Sequence, residues 1–167
     1  MGLIMSDTVL VTGGAGYIGA HACKVLARAG FTPVTFDNLH TGWAEAVKIG
    51  PFINGDLMNR ADVDAAFAQY KPVAVLHFAA LSLVGESMTD PGKYWRVNVM
   101  GALNLIEGAL AAGCRNFVFS STCATYGDQD GVLLDENSVQ LPINSYGASK
   151  RAIEDMLKDF GASDGLS

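Results

Sequence analysis

Basic residues are scarce in this sequence, and long apolar runs are missing. The chain has 11 Lys and Arg against 17 Asp and Glu, which gives a formal net charge of -6. This acidic balance disfavours nonspecific binding to nucleic acid or to an anionic membrane, because both reward concentrated positive charge. No apolar run reaches the roughly 18 residues that a membrane-spanning helix needs. We therefore expect neither nucleic acid nor membrane as a partner, whereas a phosphate-bearing small molecule stays open because backbone amides can hold phosphate.

Cysteines are few, namely Cys23, Cys114 and Cys123. Their odd number and the absence of a Cys-x-x-Cys pair or other metal-ligand spacing disfavour a disulfide framework and a zinc site. We therefore predict reduced thiols, a cytoplasmic location and no metal.

Short β-rich runs alternate with longer helical patterns along the chain, which predicts a doubly wound, parallel α/β sheet with right-handed crossovers. The predicted strands are 8–12, 32–36, 51–54, 73–78 and 116–121, and the predicted helices are about 17–29, 62–70, 91–112 and 145–160. A length of 167 residues fits a single domain over 1–167. A sixth strand would follow in a complete sheet of this type, so we expect truncation after the fifth strand and its following helix.

A glycine motif follows the first predicted strand. In "VTGGAGYIGAH", Gly13, Gly16 and Gly19 are spaced by three. A strand, a glycine-rich turn and a helix form the context of a dinucleotide fingerprint. Gly13 would make the tight turn, Gly16 would admit a pyrophosphate to the backbone, and Gly19 would let helix and strand pack closely. The alternative is a glycine-punctuated loop before a well-packed helix.

An acidic residue ends the second predicted strand. Asp37 lies 18 residues after Gly19, about where a carboxylate would bind the adenosine ribose hydroxyls. A carboxylate would repel a 2′-phosphate, so NAD is favoured over NADP. The alternative is a turn former before Asn38. Together the two signals predict a Rossmann-type, NAD-binding domain.

A tyrosine and a lysine four residues apart, Tyr146 and Lys150, lie in a helical pattern. This spacing places both on one helix face, where the ammonium favours the phenolate and makes Tyr146 a candidate general base toward a sugar or alcohol hydroxyl. The alternative interpretation is that Tyr146 and Lys150 lie on an exposed helix face and share this spacing by chance. Ser120, Ser121 and Thr122 end the fifth predicted strand and can offer a hydroxyl to substrate, although we expect at least one of them to cap the backbone instead.

Seven motifs in order carry a resemblance over nearly the whole chain: "TGGAGYIGAH", "FDNLHTG", "GDL", "HFAALSLVGES", "YWRVNVMGALNLIE", "FVFSSTCATYGD" and "SYGASKRAIED". On these residues the sequence resembles the extended short-chain dehydrogenase/reductase family, and within it the sugar-nucleotide 4-epimerases. The resemblance implies NAD-dependent 4-epimerisation of a UDP-hexose, such as UDP-glucose or UDP-galactose, in galactose or nucleotide-sugar metabolism. The reaction would pass through a transient 4-keto sugar that rotates and takes hydride back on its other face.

The resemblance also implies roles for single residues. Tyr146 would be the base, Lys150 its partner and a ribose ligand, and Thr122 the hydroxyl donor. The other implied cofactor contacts are Tyr17 and Ile18 along the pyrophosphate, Asp37 and Asn38 at the adenosine ribose, Asp56 and Leu57 at the adenine, Phe78, Ala79 and Ala80 on the far side, and Asn98 as a support from its helix. The stretch 78–80 is explained equally well as ordinary core at a strand end. His77 is better explained as a buried histidine with hydrogen-bond partners than as a ligand.

Two departures from the family pattern leave alternatives open. Ser82 stands where the epimerases often carry a lysine, and the second half of the family's chain, which supplies most nucleotide-sugar contacts, is not in this sequence. A sugar-nucleotide dehydratase is disfavoured, because that family follows the threonine with Asp-Glu whereas Thr122 is followed by Cys123 and Ala124. Epimerases of UDP-glucuronate or UDP-pentoses and a noncatalytic NAD-binding fragment remain alternatives.

The resemblance finally implies a homodimer through the helices 91–112 and 145–160. Their apolar faces are equally explained by packing on the sheet.

Overall fold

Five parallel strands form one sheet in the order β3-β2-β1-β4-β5. The structure is a computed structural model and describes residues 7–131 and 133–167. The strands are β1 (Thr8–Thr12), β2 (Thr32–Asp37), β3 (Phe52–Asn54), β4 (Ala74–His77) and β5 (Asn116–Phe119). All neighbouring pairs are parallel, and the strand order reverses direction between β1 and β4. The predicted doubly wound sheet is therefore confirmed.

The helices follow the predicted pattern with local differences. They are α1 (Tyr17–Arg28), α2 (Arg60–Tyr70), α3 (Val84–Thr89), α4 (Pro91–Tyr94), α5 (Gly101–Ala111) and α6 (Ser145–Asp164). Short 3-10 turns occur at Ala44–Ala46 and Cys123–Thr125, and a π-helical stretch covers Trp95–Met100. The predicted helix 91–112 therefore consists of an α, a π and a second α segment.

Helix boundaries shift from the prediction where caps decide them. Asn59 accepts a hydrogen bond from the amide of Ala61, so α2 begins at Arg60 rather than at residue 62. Gly165 takes the left-handed conformation with φ 70°, so α6 ends there rather than at residue 160. The six-residue helix α3 was not predicted, because so short a segment shows no full apolar period.

The chain divides into two compact units. The sheet unit comprises the described residues up to Ala79 together with Asn104–Ser120 and Leu166–Ser167, and the helical unit comprises Ala80–Leu103 and Ser121–Gly165. No helix in the described part of the chain is long and apolar enough to cross a membrane.

The core of the sheet unit lies on both faces of the sheet. Leu10 of β1 packs on one face with Val34, Phe67 and Leu105, whereas its neighbour Val9 packs on the other. Successive strand residues point to opposite faces, so a strand covered on both sides needs apolar residues throughout. This is why the strands read as continuous apolar runs in the sequence.

The sheet edge at β5 carries the last residue of the chain. The amide of Ser167 donates to the carbonyl of Arg115 at 2.8 Å, and the amide of Phe117 donates to the carbonyl of Ser167 at 2.7 Å. This is the bonding pattern of one parallel pairing, so Ser167 lies beside β5 at the edge of the sheet. Beyond it, Val118 remains 57% exposed on the edge strand.

We predict that Leu105→Ala destabilises the chain by about 2–5 kcal/mol, because Leu105 is fully buried and its truncation leaves a cavity. Leu133→Ala removes the same atoms from a side chain that is 97% exposed, so it serves as the matched control and should change stability by less than about 0.5 kcal/mol. Urea unfolding followed by circular dichroism measures both. Equal effects of the two changes would contradict the assigned core.

Candidate active site

The glycine turn after β1 is built on close backbone contacts. Gly13 has φ +73°, and a Cβ there would lie 2.6 Å from the amide nitrogen of Ala79. A Cβ on Gly19 would lie 2.2 Å from the carbonyl oxygen of Gly13. Real Cβ atoms do not approach so closely, so only glycine fits either position without a backbone shift. The start of α1 is thereby packed directly against the end of β1.

Gly16 leaves open the space above the first turn of α1. It is the N-cap residue, and no side chain within the described residues caps that turn. Only the Gly13 carbonyl oxygen, at 3.2 Å, would meet a Cβ there. Uncapped amides at a helix N-terminus attract anions, so the opening suits a pyrophosphate. Tyr17 and Ile18, 83% and 59% exposed, flank this opening.

Asp37 at the end of β2 turns its carboxylate toward the glycine turn. Oδ2 accepts a hydrogen bond from the amide of Ala15 at 3.0 Å, and Oδ1 accepts one from Leu39 at 2.8 Å. These two bonds to backbone amides are the contacts that a turn-forming aspartate makes. Each carboxylate oxygen can accept a second bond, so this geometry is compatible with ribose hydroxyls as well.

Asn38 and Asp56 meet beyond the ends of β2 and β3. Asn38 Nδ2 donates to Asp56 Oδ2 at 3.2 Å, and Asp56 Oδ1 accepts from the amide of Met58 at 2.8 Å. Leu57 differs from its neighbours, since it packs against the apolar core while its carbonyl accepts a bond from Asn104 at 2.8 Å. The structure thus groups the two polar residues predicted near the adenosine and directs Leu57 into packing.

The residues at the end of β4 mostly serve the core. His77 is 1% exposed and its Nδ1 lies 2.6 Å from Thr12 Oγ1, so the satisfied buried histidine is confirmed. Phe78 packs against the buried cluster that contains Val9, and the backbone of Ala79 lies next to Gly13. Ala80 is the first residue of the helical unit.

Tyr146 and Lys150 lie one turn apart on α6. Asn144 begins this helix by accepting a hydrogen bond from the amide of Gly147 at 2.8 Å. Lys150 is 3% exposed, and its burial lowers the pKa of the ammonium group to about 8. Desolvation disfavours the charged form of a lysine, which explains this direction. A buried, easily neutralised lysine near a tyrosine is a marker of a functional site.

Tyr94 packs against Tyr146 and was not predicted as a site residue. The two rings meet edge to face with centroids 6.5 Å apart. The Tyr94 hydroxyl lies 2.7 Å from the carbonyl of Leu83 and 2.9 Å from Glu86 Oε2. Burial, reinforced by the Glu86 carboxylate, raises the pKa of Tyr94 to about 12, so this phenol stays protonated at neutral pH.

Asn98 is a buried hub in the π-helical stretch. Its Oδ1 accepts from the amide of Leu81 at 2.8 Å, while Nδ2 donates to the Leu81 carbonyl at 3.0 Å and to Ser149 Oγ at 3.1 Å. Both ends of the side-chain amide are used by the protein, and the residue is 2% exposed. Asn98 therefore positions the segment at Leu81 and the turn of α6 that carries Ser149.

Thr122 caps the 3-10 turn that follows β5. Its Oγ1 accepts a hydrogen bond from the amide of Ala124 at 3.2 Å, which leaves the hydroxyl proton available for another acceptor. Ser121 instead donates to Glu154 of α6, which also accepts from Gln140 at 2.7 Å. The expected backbone cap is thus Thr122 itself.

Gly147 determines how closely this turn and α6 approach. A Cβ on Gly147 would lie 2.4 Å from the carbonyl oxygen of Ala124. We did not predict this role, although a glycine directly after Tyr146 in a helical pattern was a usable signal.

Ser82 stands where the epimerases often carry a lysine, and its side chain is exposed. The described residues hold no group of three or more His, Cys, Asp or Glu that could bind a metal.

Comparison with known proteins gives concordant results. The sequence matches the NAD dependent epimerase/dehydratase family over residues 9–167. It is 50% identical over 163 residues to the UDP-glucose 4-epimerase of Rhizobium meliloti (strain 1021), an alignment that covers 98% of this chain and 50% of that protein. The chain thus spans about half the length of the curated relatives it matches.

Solved structures agree with the fold. The crystal structure of UDP-glucose 4-epimerase from Brucella ovis in complex with NAD matches with a TM-score of 0.93 at 45% identity, over 96% of this chain and 50% of that one. The UDP-glucose 4-epimerase of Thermotoga maritima with UDP-glucose matches with a TM-score of 0.91 at 32% identity, over 95% of this chain and 52% of that one.

We predict that Gly147→Ala destabilises the chain by about 1–3 kcal/mol, because the added methyl group overlaps the Ala124 carbonyl and forces a backbone shift. Gly85→Ala is the matched control, since Gly85 is also helical and nothing lies within 4 Å of its Cβ position. The control should be neutral or stabilising by up to about 1 kcal/mol. Thermal unfolding of the two variants distinguishes them, and similar melting temperatures would refute the close contact.

We also predict that stability rises with pH because of Lys150. Between pH values of about 8 and 10.5 the unfolded lysine keeps a proton that the folded one has lost, so deprotonation favours the folded state. The gain is on the order of 3 kcal/mol across this window. Lys150→Met removes it, so the free-energy difference between wild type and variant should change with pH in that direction. A pH-independent difference would show that Lys150 is not desolvated.

Proposed function

Because the chain belongs to the NAD dependent epimerase/dehydratase family, we propose that it is the NAD-binding part of an enzyme that interconverts UDP-glucose and UDP-galactose by 4-epimerisation. The observation that carries the proposal is the buried Lys150 one helical turn from Tyr146. A dinucleotide-binding module alone has no need for a desolvated lysine beside a tyrosine. The high identity to a UDP-glucose 4-epimerase supports the same conclusion.

The sheet unit offers the features that NAD requires. Gly16 leaves the amides of the first turn of α1 accessible to the pyrophosphate, and Asp37 has spare acceptor capacity for the adenosine ribose. The linked Asn38 and Asp56 are proposed to lie at the adenosine end. A carboxylate at Asp37 also disfavours the 2′-phosphate of NADP. When bound, NAD supplies the hydride acceptor and donor, so the overall reaction is redox neutral.

The helical unit supplies the proton chemistry. We assign to Tyr146 the removal of the proton from the sugar 4-hydroxyl and its return after rotation of the sugar. Lys150 keeps most of its positive charge at neutral pH, because its pKa is about 8, and it lies one helical turn from Tyr146. Thr122 can donate its hydroxyl proton to a sugar oxygen, because the bond that it accepts from the Ala124 amide uses only a lone pair of the hydroxyl oxygen.

The substrate, location and assembly that we propose follow from separate observations. A UDP-hexose is favoured over the UDP-pentose of the probable UDP-arabinose 4-epimerases, which are 40% and 41% identical, because relatives at 50% and 53% identity are UDP-glucose 4-epimerases and a solved UDP-glucose 4-epimerase holds UDP-glucose. A cytoplasmic location agrees with the free thiols of Cys23, Cys114 and Cys123. A homodimer through the helices 91–112 and 145–160 agrees with the partial exposure of Trp95 and Met100.

The first test measures NAD binding by the purified chain. We expect NAD to be recovered after denaturation of the purified protein, or to bind with a measurable affinity when added. Gly16→Val should weaken binding at least about tenfold, because its side chain fills the approach to the amides, whereas Gly85→Ala should bind normally. Undiminished binding by Gly16→Val would exclude the glycine turn as the pyrophosphate site.

The second test measures conversion of UDP-galactose to UDP-glucose. Where turnover is found, Tyr146→Phe should lower it by about 10²–10⁴-fold without changing NAD binding, because only the proton acceptor is removed. Tyr70→Phe, which changes a tyrosine at the end of α2, is the control. NAD binding without turnover would support a cofactor-binding part separated from the substrate-binding part of the enzyme, and full activity of Tyr146→Phe would refute the role of Tyr146.

A further inference from the structure

A cleft of about 250 Å³ opens in the sheet unit, and the proposed reaction does not use it. It is lined by residues of α1 and β2 and by the segment 46–49. Of the described residues in the glycine turn, Gly14 alone lines it, and the residues proposed to contact NAD are not among its described lining. The volume suffices for a small organic molecule rather than for water alone.

The inner part of the cleft is apolar with one polar pair. Cys23 Sγ and Thr35 Oγ1 lie 3.6 Å apart, and both residues are buried. Burial raises the pKa of the Cys23 thiol, so the pair is neutral at physiological pH. Val47 and Ile49 add half-buried aliphatic side chains to the lining. This part of the cleft therefore favours a compact, largely apolar group with at most one polar atom.

The outer part of the cleft concentrates positive charge. Lys24 and Lys48 line it and are exposed, and among the described residues neither forms an ion pair. His21 lines it too, and its Nδ1 lies 2.8 Å from the carbonyl oxygen of Tyr17. Flexible lysine side chains can turn toward an anion over such a cleft. Among the residues that the structure describes, no acidic one lines the cleft, although the whole chain carries a net charge of -6.

We propose that this cleft binds a small organic anion, with its phosphate or carboxylate group between Lys24 and Lys48 and its apolar body against Cys23 and Thr35. Locally concentrated cations attract such a ligand, and burial of its apolar body adds affinity. The inference is independent of the proposed function, because it uses none of the residues assigned to NAD or to proton transfer.

Phenyl phosphate is a suitable probe, and benzyl alcohol is its uncharged counterpart. Each is titrated into the isotope-labelled 167-residue chain while backbone amide signals are followed by NMR. We expect phenyl phosphate to shift the signals of Ala46–Ile49 and of Lys24 with a dissociation constant in the millimolar range or tighter, about -4 kcal/mol or more favourable. Benzyl alcohol should shift them much less.

The double variant Lys24→Gln/Lys48→Gln should weaken phenyl phosphate binding about tenfold or more, because charge-assisted hydrogen bonds are lost. Lys71→Gln/Lys158→Gln is the matched control, since it changes the net charge equally at exposed lysines that do not line the cleft. Shifts confined to Gly13–Ile18 would place the anion at the glycine turn and overturn the proposal. Equal binding by both double variants, or no shifts at all, would overturn it as well.

Discussion

Around the glycine turn, the geometry depends on the direct contact between the backbones of α1 and β1. With no side chain on Gly19, the helix approaches until only the bare backbone of Gly13 and Gly14 lies beneath it. The helix N-terminus is thereby brought to the carboxyl edge of the sheet. Because β2 runs parallel to β1 with Thr12 opposite Phe36, Asp37 comes to the same edge. One steric constraint thus places a positive helix end and a carboxylate side by side, which is the arrangement that a dinucleotide needs.

The helical unit applies a similar constraint with polar groups added. Gly147 lets α6 contact the Ala124 carbonyl, and Asn98 bonds both to Leu81 and to Ser149. Burial of an ammonium group such as that of Lys150 is costly, so its surroundings must be held rigidly for the cost to be tolerated. Hydrogen bonds that use both ends of a buried amide provide such rigidity, because any movement leaves a buried polar group unpaired.

The sequence was informative where the determinants are local. Continuous apolar runs predicted all five strands, and the glycine spacing predicted a turn whose geometry requires Gly13 and Gly19. The division into two units and the contacts of Tyr94 and Glu154 were not predicted, because they join residues distant along the chain. The π-helical stretch 95–100 was also missed, since its apolar period differs too little from that of an α-helix over six residues.

The two tyrosines that meet in the helical unit differ in burial and in their neighbours. Tyr94 faces the Glu86 carboxylate and is completely buried, so both charge and desolvation keep its phenol protonated. Tyr146 is only partly buried and has the Lys150 ammonium one helical turn away. The base that we propose is therefore the partly exposed Tyr146, whereas Tyr94, bonded to Leu83 and Glu86, meets the Tyr146 ring edge to face.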